Sequence, residues 1–283
     1  MTEYQQVPPG LLKLQRVIRD TQRQREQISK ALAVRAKVPR HPAPSLALRL
    51  GALQKRLRVQ WERALPDNWS GKNADDVKNV VELMDETGWS LVWVPSLDTL
   101  DRLLASQTRE PERRLIRFEK RILPDLESCL RELSSPPVRE LRGAIRGAIA
   151  THKAGHYEAA QALAGSVLTA TVHQFFEPST LGGVRKKGAD ISPDEVALRR
   201  YRRAIVFQRV AEALEIFVPG EDPIPTRFNR HAVVHTVAPE QFTHANSLAG
   251  LMLTTSIVRE IEHEIRERDE LGEPGPGGLE DNG

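Results

Sequence analysis

The strongest constraint on the fold of this chain is the helical spacing of its apolar residues, which prolines interrupt at intervals. Over residues 157–175, apolar side chains recur every three or four positions and form one broad face. Prolines separate such stretches, as at Pro136 and Pro137, and proline stops a preceding helix because it lacks the amide donor. This pattern predicts an all-α protein.

The one strand-like alternation of the sequence lies at Trp89, Leu91 and Trp93. A single strand has no partner to pair with, so we interpret this segment as a buried extended connector before a helix that starts near Ser96. Aromatic residues make up only 5% of the chain, which argues against a β-sandwich or a β-barrel.

Composition and proline breaks divide the chain into four predicted regions. Asn73 or Asp75 is expected to cap the first helix of the second region, and Thr243 is expected to cap a long last helix. The helix over 157–175 is expected to be central because its apolar face is broad. The regions are a basic helical hairpin (1–64), a middle helical region without an assigned role (65–137), a helical bundle (138–270) and a disordered acidic tail (271–283).

The formal net charge of +3 conceals an uneven distribution. Residues 1–64 hold 14 Lys and Arg against 4 Asp and Glu, whereas residues 260–283 hold 2 against 9. A basic segment of this density attracts nucleic acid or an acidic partner, although a solvated helix face explains it equally well. The acidic end is rich in glycine and poor in apolar residues, and this composition predicts disorder.

Cysteine content and hydropathy indicate the cellular compartment. The single cysteine, Cys129, forms neither an internal disulfide nor a thiolate metal site, and we expect it to be buried as a packing residue. No apolar run approaches the roughly 20 residues that span a bilayer, and the first residues lack a signal-peptide pattern. We therefore expect a cytoplasmic protein without a membrane partner.

The residues best suited to chemistry lie in PTRFNRHAVVHTV, residues 225–237. Arg230, His231 and His235 stand at positions i, i+1 and i+5, and the two histidines are one helical turn apart. An arginine can hold a phosphodiester while a neighbouring imidazole moves a proton, since histidine titrates near neutral pH.

This arrangement resembles the Arg-x4-6-His signature of the HEPN superfamily. In this sequence the signature reads Arg230-His231-Ala232-Val233-Val234-His235, with His231 where the family usually has a polar residue. The match covers about residues 139 to 270, and it implies that this region is a HEPN-like helical bundle.

The resemblance also implies a metal-independent endoribonuclease without a cofactor. The ribose 2′-hydroxyl attacks the adjacent phosphate, and the arginine and histidine of two subunits meet across a dimer interface. Carried over, Arg230 stabilises the charge on the phosphorane, His235 moves the proton and His231 orients the phosphate. Such proteins often act in toxin–antitoxin and phage-defence systems, so RNA, a second copy of the chain and a protein partner such as an antitoxin are the expected partners.

Further polar residues are expected to contact RNA. Arg227 and Asn229 flank the signature, and a glycine-containing loop carries a basic cluster. That loop lacks the spacing of a nucleotide-binding P-loop, but its cations could reach RNA phosphates. Four arginines of the following helix either extend this positive patch or form a solvated helix face. The loop cations are Arg185, Lys186 and Lys187, and the helix arginines are Arg199, Arg200, Arg202 and Arg203.

A structural interpretation of the signature stays open. In it, Arg230 and His235 pair with Glu240 or with the following helix. The bundle is then a non-catalytic interaction or scaffold protein that binds a partner or dimerises.

A metal site is a third interpretation, although we assign the chain no metal. His231 and His235 could bind one Zn²⁺ together with His244 and Glu240. The residues between the first two histidines exclude a protease of the HExxH kind, because the required glutamate is missing.

Two further histidines, His152 and His156, share the i, i+4 spacing. Gly155 lies between them and indicates a helix break. We therefore expect both side chains at the surface and assign them no role.

Overall fold

The computed structural model describes residues 65–175 and 196–271. These residues form eight α-helices and one short 3-10 helix, and they contain no β-strand, which confirms the all-α prediction. The predicted basic hairpin (1–64) and the acidic tail after residue 271 lie outside the described residues. The elements are the 3-10 helix (Asp67–Trp69), α1 (Ala74–Thr87), α2 (Leu97–Leu104), α3 (Pro111–Arg131), α4 (Pro136–Lys153), α5 (Tyr157–Phe175), α6 (Val196–Ala213), α7 (Arg230–His235) and α8 (His244–Leu271).

Side-chain caps begin two of the helices where the sequence predicts them. The Asn73 side chain accepts hydrogen bonds from the backbone N–H groups of Asp75 and Asp76, and the Asp76 carboxylate accepts one from the Asn73 N–H. The Thr243 hydroxyl accepts a hydrogen bond from the Asn246 N–H at the start of α8. Both caps satisfy amide groups that the first helical turn leaves unpaired.

The segment between α1 and α2 is the buried connector that the sequence predicts. Residues 89–95 are all buried, and α2 begins immediately after Ser96. The Asn68 side chain donates to the carbonyl oxygens of Leu91 and Pro95, at 2.9 and 2.8 Å, and accepts from the Trp93 N–H at 2.9 Å. These bonds hold Trp93 at a φ of 70°, a conformation that is costly for a bulky residue.

The helix that the others surround is α8, which differs from the prediction that the helix over 157–175 is central. Every residue from 245 to 262 is buried, whereas α5 keeps one side exposed. Helix α8 packs against α3, α4, α5 and α6, and it is therefore buried on all sides. The hydrophobic core is continuous and includes residues on both sides of residue 137.

Arg202 of α6 is one of the charged residues inside the structure, which corrects the expectation of a surface patch. Its side chain is 2% exposed and donates to Glu260 of α8, which is 1% exposed. Arg203 is partly exposed and pairs with Glu264 at 2.9 Å. The side chains of Arg199 and Arg200 lie outside the described part of the chain.

Cys129 is buried in α3, as the sequence predicts. Burial raises the pKa of its thiol to about 12, so the thiolate is not available at neutral pH. Cys129 is therefore a packing residue.

Candidate functional site

A network of buried amides fixes the position of α7, the short helix that carries the signature. Asn229 caps this helix, because its Oδ1 accepts from the Ala232 N–H at 2.8 Å while its Nδ2 donates to the Glu215 carbonyl at 3.0 Å. Gln241 accepts from the Asn229 N–H at 3.1 Å and donates to the carbonyls of Pro225 and Arg227. The loops before and after α7 are thus tied together.

Phe228 anchors the same segment between α5 and α8. Its ring lies against Gly165 of α5 and Gly250 of α8. A Cβ atom at Gly250 would lie only 2.9 Å from Cε2 of this ring, which is closer than carbon atoms approach. The absence of a side chain at Gly250 therefore permits this packing.

We expect Gly250→Ala to lower the free energy of unfolding by about 1–3 kcal/mol, the usual cost of overpacking a core. The added methyl group forces Phe228 to move. Urea denaturation measures the change, and Gly147→Ala is the matched control, because a Cβ atom there meets Leu163 at an ordinary 3.7 Å. Equal stability of Gly250→Ala and the wild type would contradict the packing described here.

Arg230 stands at the first position of α7, and one of its donors is engaged by the described residues. Its Nε donates to the Thr169 hydroxyl of α5 at 2.9 Å, and its aliphatic part lies against Gly165. Within residues 65–175 and 196–271, no hydrogen bond engages its two Nη groups. The guanidinium is therefore positioned by one bond and keeps the donor pair that can bind an anion.

The two histidines of the signature form a pair at the surface. The ring centroids of His231 and His235 are 5.3 Å apart, and His235 is exposed. Burial, followed by the nearby charges of Arg230 and His235, lowers the pKa of His231. Its Nδ1 is buried without a hydrogen-bond partner among the described residues. The structure thus brings Arg230, His231 and His235 together, with a neutral imidazole favoured at His231.

The residues that were expected to contact RNA have other contacts where they are described. Arg227 donates to the Glu86 carbonyl at 2.5 Å, and its side chain packs against Gly88. Asn229 is 6% exposed and serves as the helix cap. Arg185, Lys186 and Lys187 lie outside the described residues.

The two alternative sets of contacts around the signature are not formed. The structure describes both Arg230 and Glu240, and no ion pair joins them. Arg230 instead donates a hydrogen bond to Thr169. His244 lies with Glu119 rather than with His231 and His235, so the four-residue zinc site considered from the sequence is wrong.

Exposed apolar side chains cluster in the sequence around α7. The large hydrophobic residues exposed in the described part of the chain all fall between 216 and 237. Val237 is 92% exposed and Val234, within the signature, is 59% exposed. Exposed apolar residues that form a contiguous patch are typical of a contact with another macromolecule. The set is Ile216, Val218, Ile224, Val234 and Val237.

A second candidate group of side chains, which the sequence analysis did not bring together, joins three helices. Glu119 of α3, His152 of α4 and His244 of α8 place their ligand atoms within 4.8 Å of one another. Both histidine Nε2 atoms lie 2.7 Å from the same oxygen, Oε1 of Glu119. We call this set the Glu119 cluster. The expectation that His152 is at the surface is wrong, since it is 1% exposed, while His156 is exposed.

The pKa shifts of Glu119 and His152 favour a charged carboxylate and a neutral His152 imidazole. Burial by itself would raise the pKa of Glu119, but the hydrogen bonds from His244 and His152 lower it below its usual value. Burial lowers the pKa of His152, against the opposing effect of Glu119. The His152 ring is also held by Ser247, whose Oγ lies 2.8 Å from Nδ1.

Comparison of the chain with known protein families, with curated proteins and with solved structures found no match. None of the described helices is both long and apolar enough to cross a membrane.

Proposed function

We propose that the chain is a HEPN-like, metal-independent endoribonuclease that acts as a homodimer. The observation that carries this proposal is the grouping of Arg230, His231 and His235 on α7, where both imidazoles and the guanidinium keep polar atoms that no described residue engages in a hydrogen bond. A cytoplasmic toxin–antitoxin or phage-defence module is the setting that we propose for it.

The proposed reaction divides the work among these three side chains. An imidazole removes the proton from the ribose 2′-hydroxyl, whose oxygen attacks the adjacent phosphorus while the bond from phosphorus to the 5′-oxygen breaks. His235 is this imidazole, and the proton that it takes from the 2′-hydroxyl passes to the departing 5′-oxygen, so the products are a 2′,3′-cyclic phosphate and a 5′-hydroxyl. Arg230 stabilises the extra negative charge of the phosphorane, and His231 orients the phosphate.

A second copy of the chain would complete the site. Val234 and His235 of the signature are exposed, and the exposed apolar residues from 216 to 237 lie next to them in the sequence. Covering these residues with the partner's α7 would bury apolar surface and bring a second arginine and two more histidines to the phosphate. The same apolar residues support the alternative function, a non-catalytic bundle that docks a protein partner.

RNA cleavage in EDTA tests the proposal. We expect the purified protein to cut cellular RNA without metal and to leave 5′-hydroxyl ends that a polynucleotide kinase labels directly. His235→Ala should reduce the rate by about 100-fold or more, the effect typical of losing a general acid or base.

His156→Ala is the matched control, because His156 is an exposed histidine outside α7 and should leave cleavage unchanged. Equal cleavage by the wild type and His235→Ala, or no cleavage by a wild type that is shown to be dimeric, would contradict the proposal. The second result would favour the docking function.

A further inference from the structure

The Glu119 cluster consists of the side chains that transition metals prefer. Two imidazoles and one carboxylate converge from α3, α4 and α8. Each of these three helices packs against the other two. We propose that Glu119, His152 and His244 form a binding site for one divalent first-row transition-metal ion of the Zn²⁺ type. Nitrogen from histidine and oxygen from glutamate are common ligands of such ions, and two histidines with one carboxylate are a recurring set.

The two nitrogen-to-oxygen distances within the cluster are close to those of a loaded site, and all three ligand atoms lie within 4.8 Å of one another. Ligand atoms about 2.1 Å from a tetrahedral ion are separated from one another by about 3.4 Å. Each histidine Nε2 now lies 2.7 Å from Glu119 Oε1, at hydrogen-bond distance. An ion that replaces the two bridging protons therefore requires each nitrogen to move away from the oxygen by less than 1 Å.

Ser247 provides a partner that suits both the empty and the loaded state. In the empty state the Ser247 hydroxyl donates to His152 Nδ1, and the Nε2–H of this ring donates to Glu119. When Nε2 binds a metal, the proton moves to Nδ1, which then donates to the same hydroxyl oxygen. A hydroxyl group performs either role by rotating. Metal-binding histidines usually have such a hydrogen-bond partner on the other ring nitrogen.

The three side chains of the Glu119 cluster differ in their exposure to solvent. The His152 side chain is fully buried, whereas those of Glu119 and His244 are 21% and 25% exposed. The ring of Tyr157 stacks on His244 with centroids 4.1 Å apart and holds its orientation. An ion can thus enter from the solvent side, and three protein ligands leave a coordination position open for water or a substrate.

Metal titration of the full-length, tag-free chain tests this site. After treatment with a chelator and its removal, we expect the protein to bind one equivalent of Zn²⁺, measured by calorimetry and by elemental analysis. The melting temperature should rise by about 5–10 °C at a Zn²⁺ concentration one hundred times the Kd. Co²⁺ should give the visible bands of nitrogen and oxygen coordination without a thiolate band.

Variants locate the site. Glu119→Gln and His244→Gln should weaken Zn²⁺ binding by more than about 100-fold, and Ser247→Ala by about 10- to 100-fold. His156→Ala removes an exposed histidine and should change nothing. Circular dichroism verifies that each variant is folded. If Glu119→Gln does not fold, the weaker Zn²⁺ binding expected for Ser247→Ala, which keeps all three ligands, tests the site instead.

The proposal is overturned if one-equivalent binding is absent, or if it persists unchanged in folded Glu119→Gln and His244→Gln. It is also overturned if the double variant His231→Ala/His235→Ala loses the metal, since binding would then lie at α7. That double variant should lose RNA cleavage and keep Zn²⁺, so failure of the nuclease proposal and failure of the metal site give different results.

Discussion

Replacing Glu260 with glutamine is expected to lower the free energy of unfolding by about 3–5 kcal/mol, the usual cost of removing one partner from a buried ion pair. Glu260 and Arg202 are 1% and 2% exposed. Glu260 Oε2 lies 2.8 Å from Arg202 Nε and 2.7 Å from Trp93 Nε1, both of which donate to it. Glutamine keeps the shape but removes the negative charge that Glu260 places against the buried guanidinium of Arg202.

The surroundings of this pair explain why the effect should be large. Arg202 and Arg259 both lie over the Trp93 ring, 4.9 and 4.6 Å from its centroid, so two cations share one region with Glu260. Burial and the charge of Arg202 are the main causes that lower the pKa of His263 to about 4, and the carboxylate of Glu260 opposes them. A glutamine at 260 would remove one negative charge from this poorly solvated region, where Arg259 also pairs with Asp67 and Glu132 at 3.5 Å.

Chemical denaturation monitored by circular dichroism measures the loss. Glu140→Gln is the matched control, because Glu140 is exposed on α4 and should change the free energy of unfolding by less than about 0.5 kcal/mol. A loss below about 1 kcal/mol for Glu260→Gln would show that the pair does not stabilise the fold as its geometry indicates.

The elements that the sequence predicts well are those specified by neighbouring residues. The caps at Asn73 and Thr243 depend on residues within one turn of each other. The position of α8 depends on which helix the others surround, and apolar spacing along one helix does not determine that. Charge along the sequence is equally uninformative about burial. Glu260 belongs to the acidic residues 260–283 and yet lies in the core.

The two candidate clusters, the signature on α7 and the Glu119 cluster, differ in the same way. The signature on α7 spans six residues, so helical geometry alone brings its histidines together. In the Glu119 cluster, Glu119 is separated from His152 by 33 positions and from His244 by 125. Gly155 indicates that α4 ends near His152, but it carries no information on which helix then covers that side chain. Only tertiary packing assembles this cluster.

Replacing Arg230 with glutamine is expected to reduce kcat/KM for RNA cleavage by about 100- to 1000-fold, the range found when a group that stabilises transition-state charge is removed. Glutamine keeps a donor for Thr169 but loses the charge. Arg230→Lys should recover only part of the rate, because an ammonium cannot bind two phosphate oxygens in the manner of a planar guanidinium.

The effect of Arg230→Gln can be assigned to catalysis because the Arg230 side chain contributes little to the stability of the fold. One hydrogen bond, from Nε to Thr169 at 2.9 Å, connects it to the described fold, and such a bond contributes about 0.5–1.5 kcal/mol to stability. Arg146→Gln, at an exposed arginine of α4, controls for a general loss of positive charge. If Arg230→Gln and Arg146→Gln cleave RNA equally fast, the guanidinium at position 230 takes no part in the reaction, and α7 is a docking surface rather than an active site.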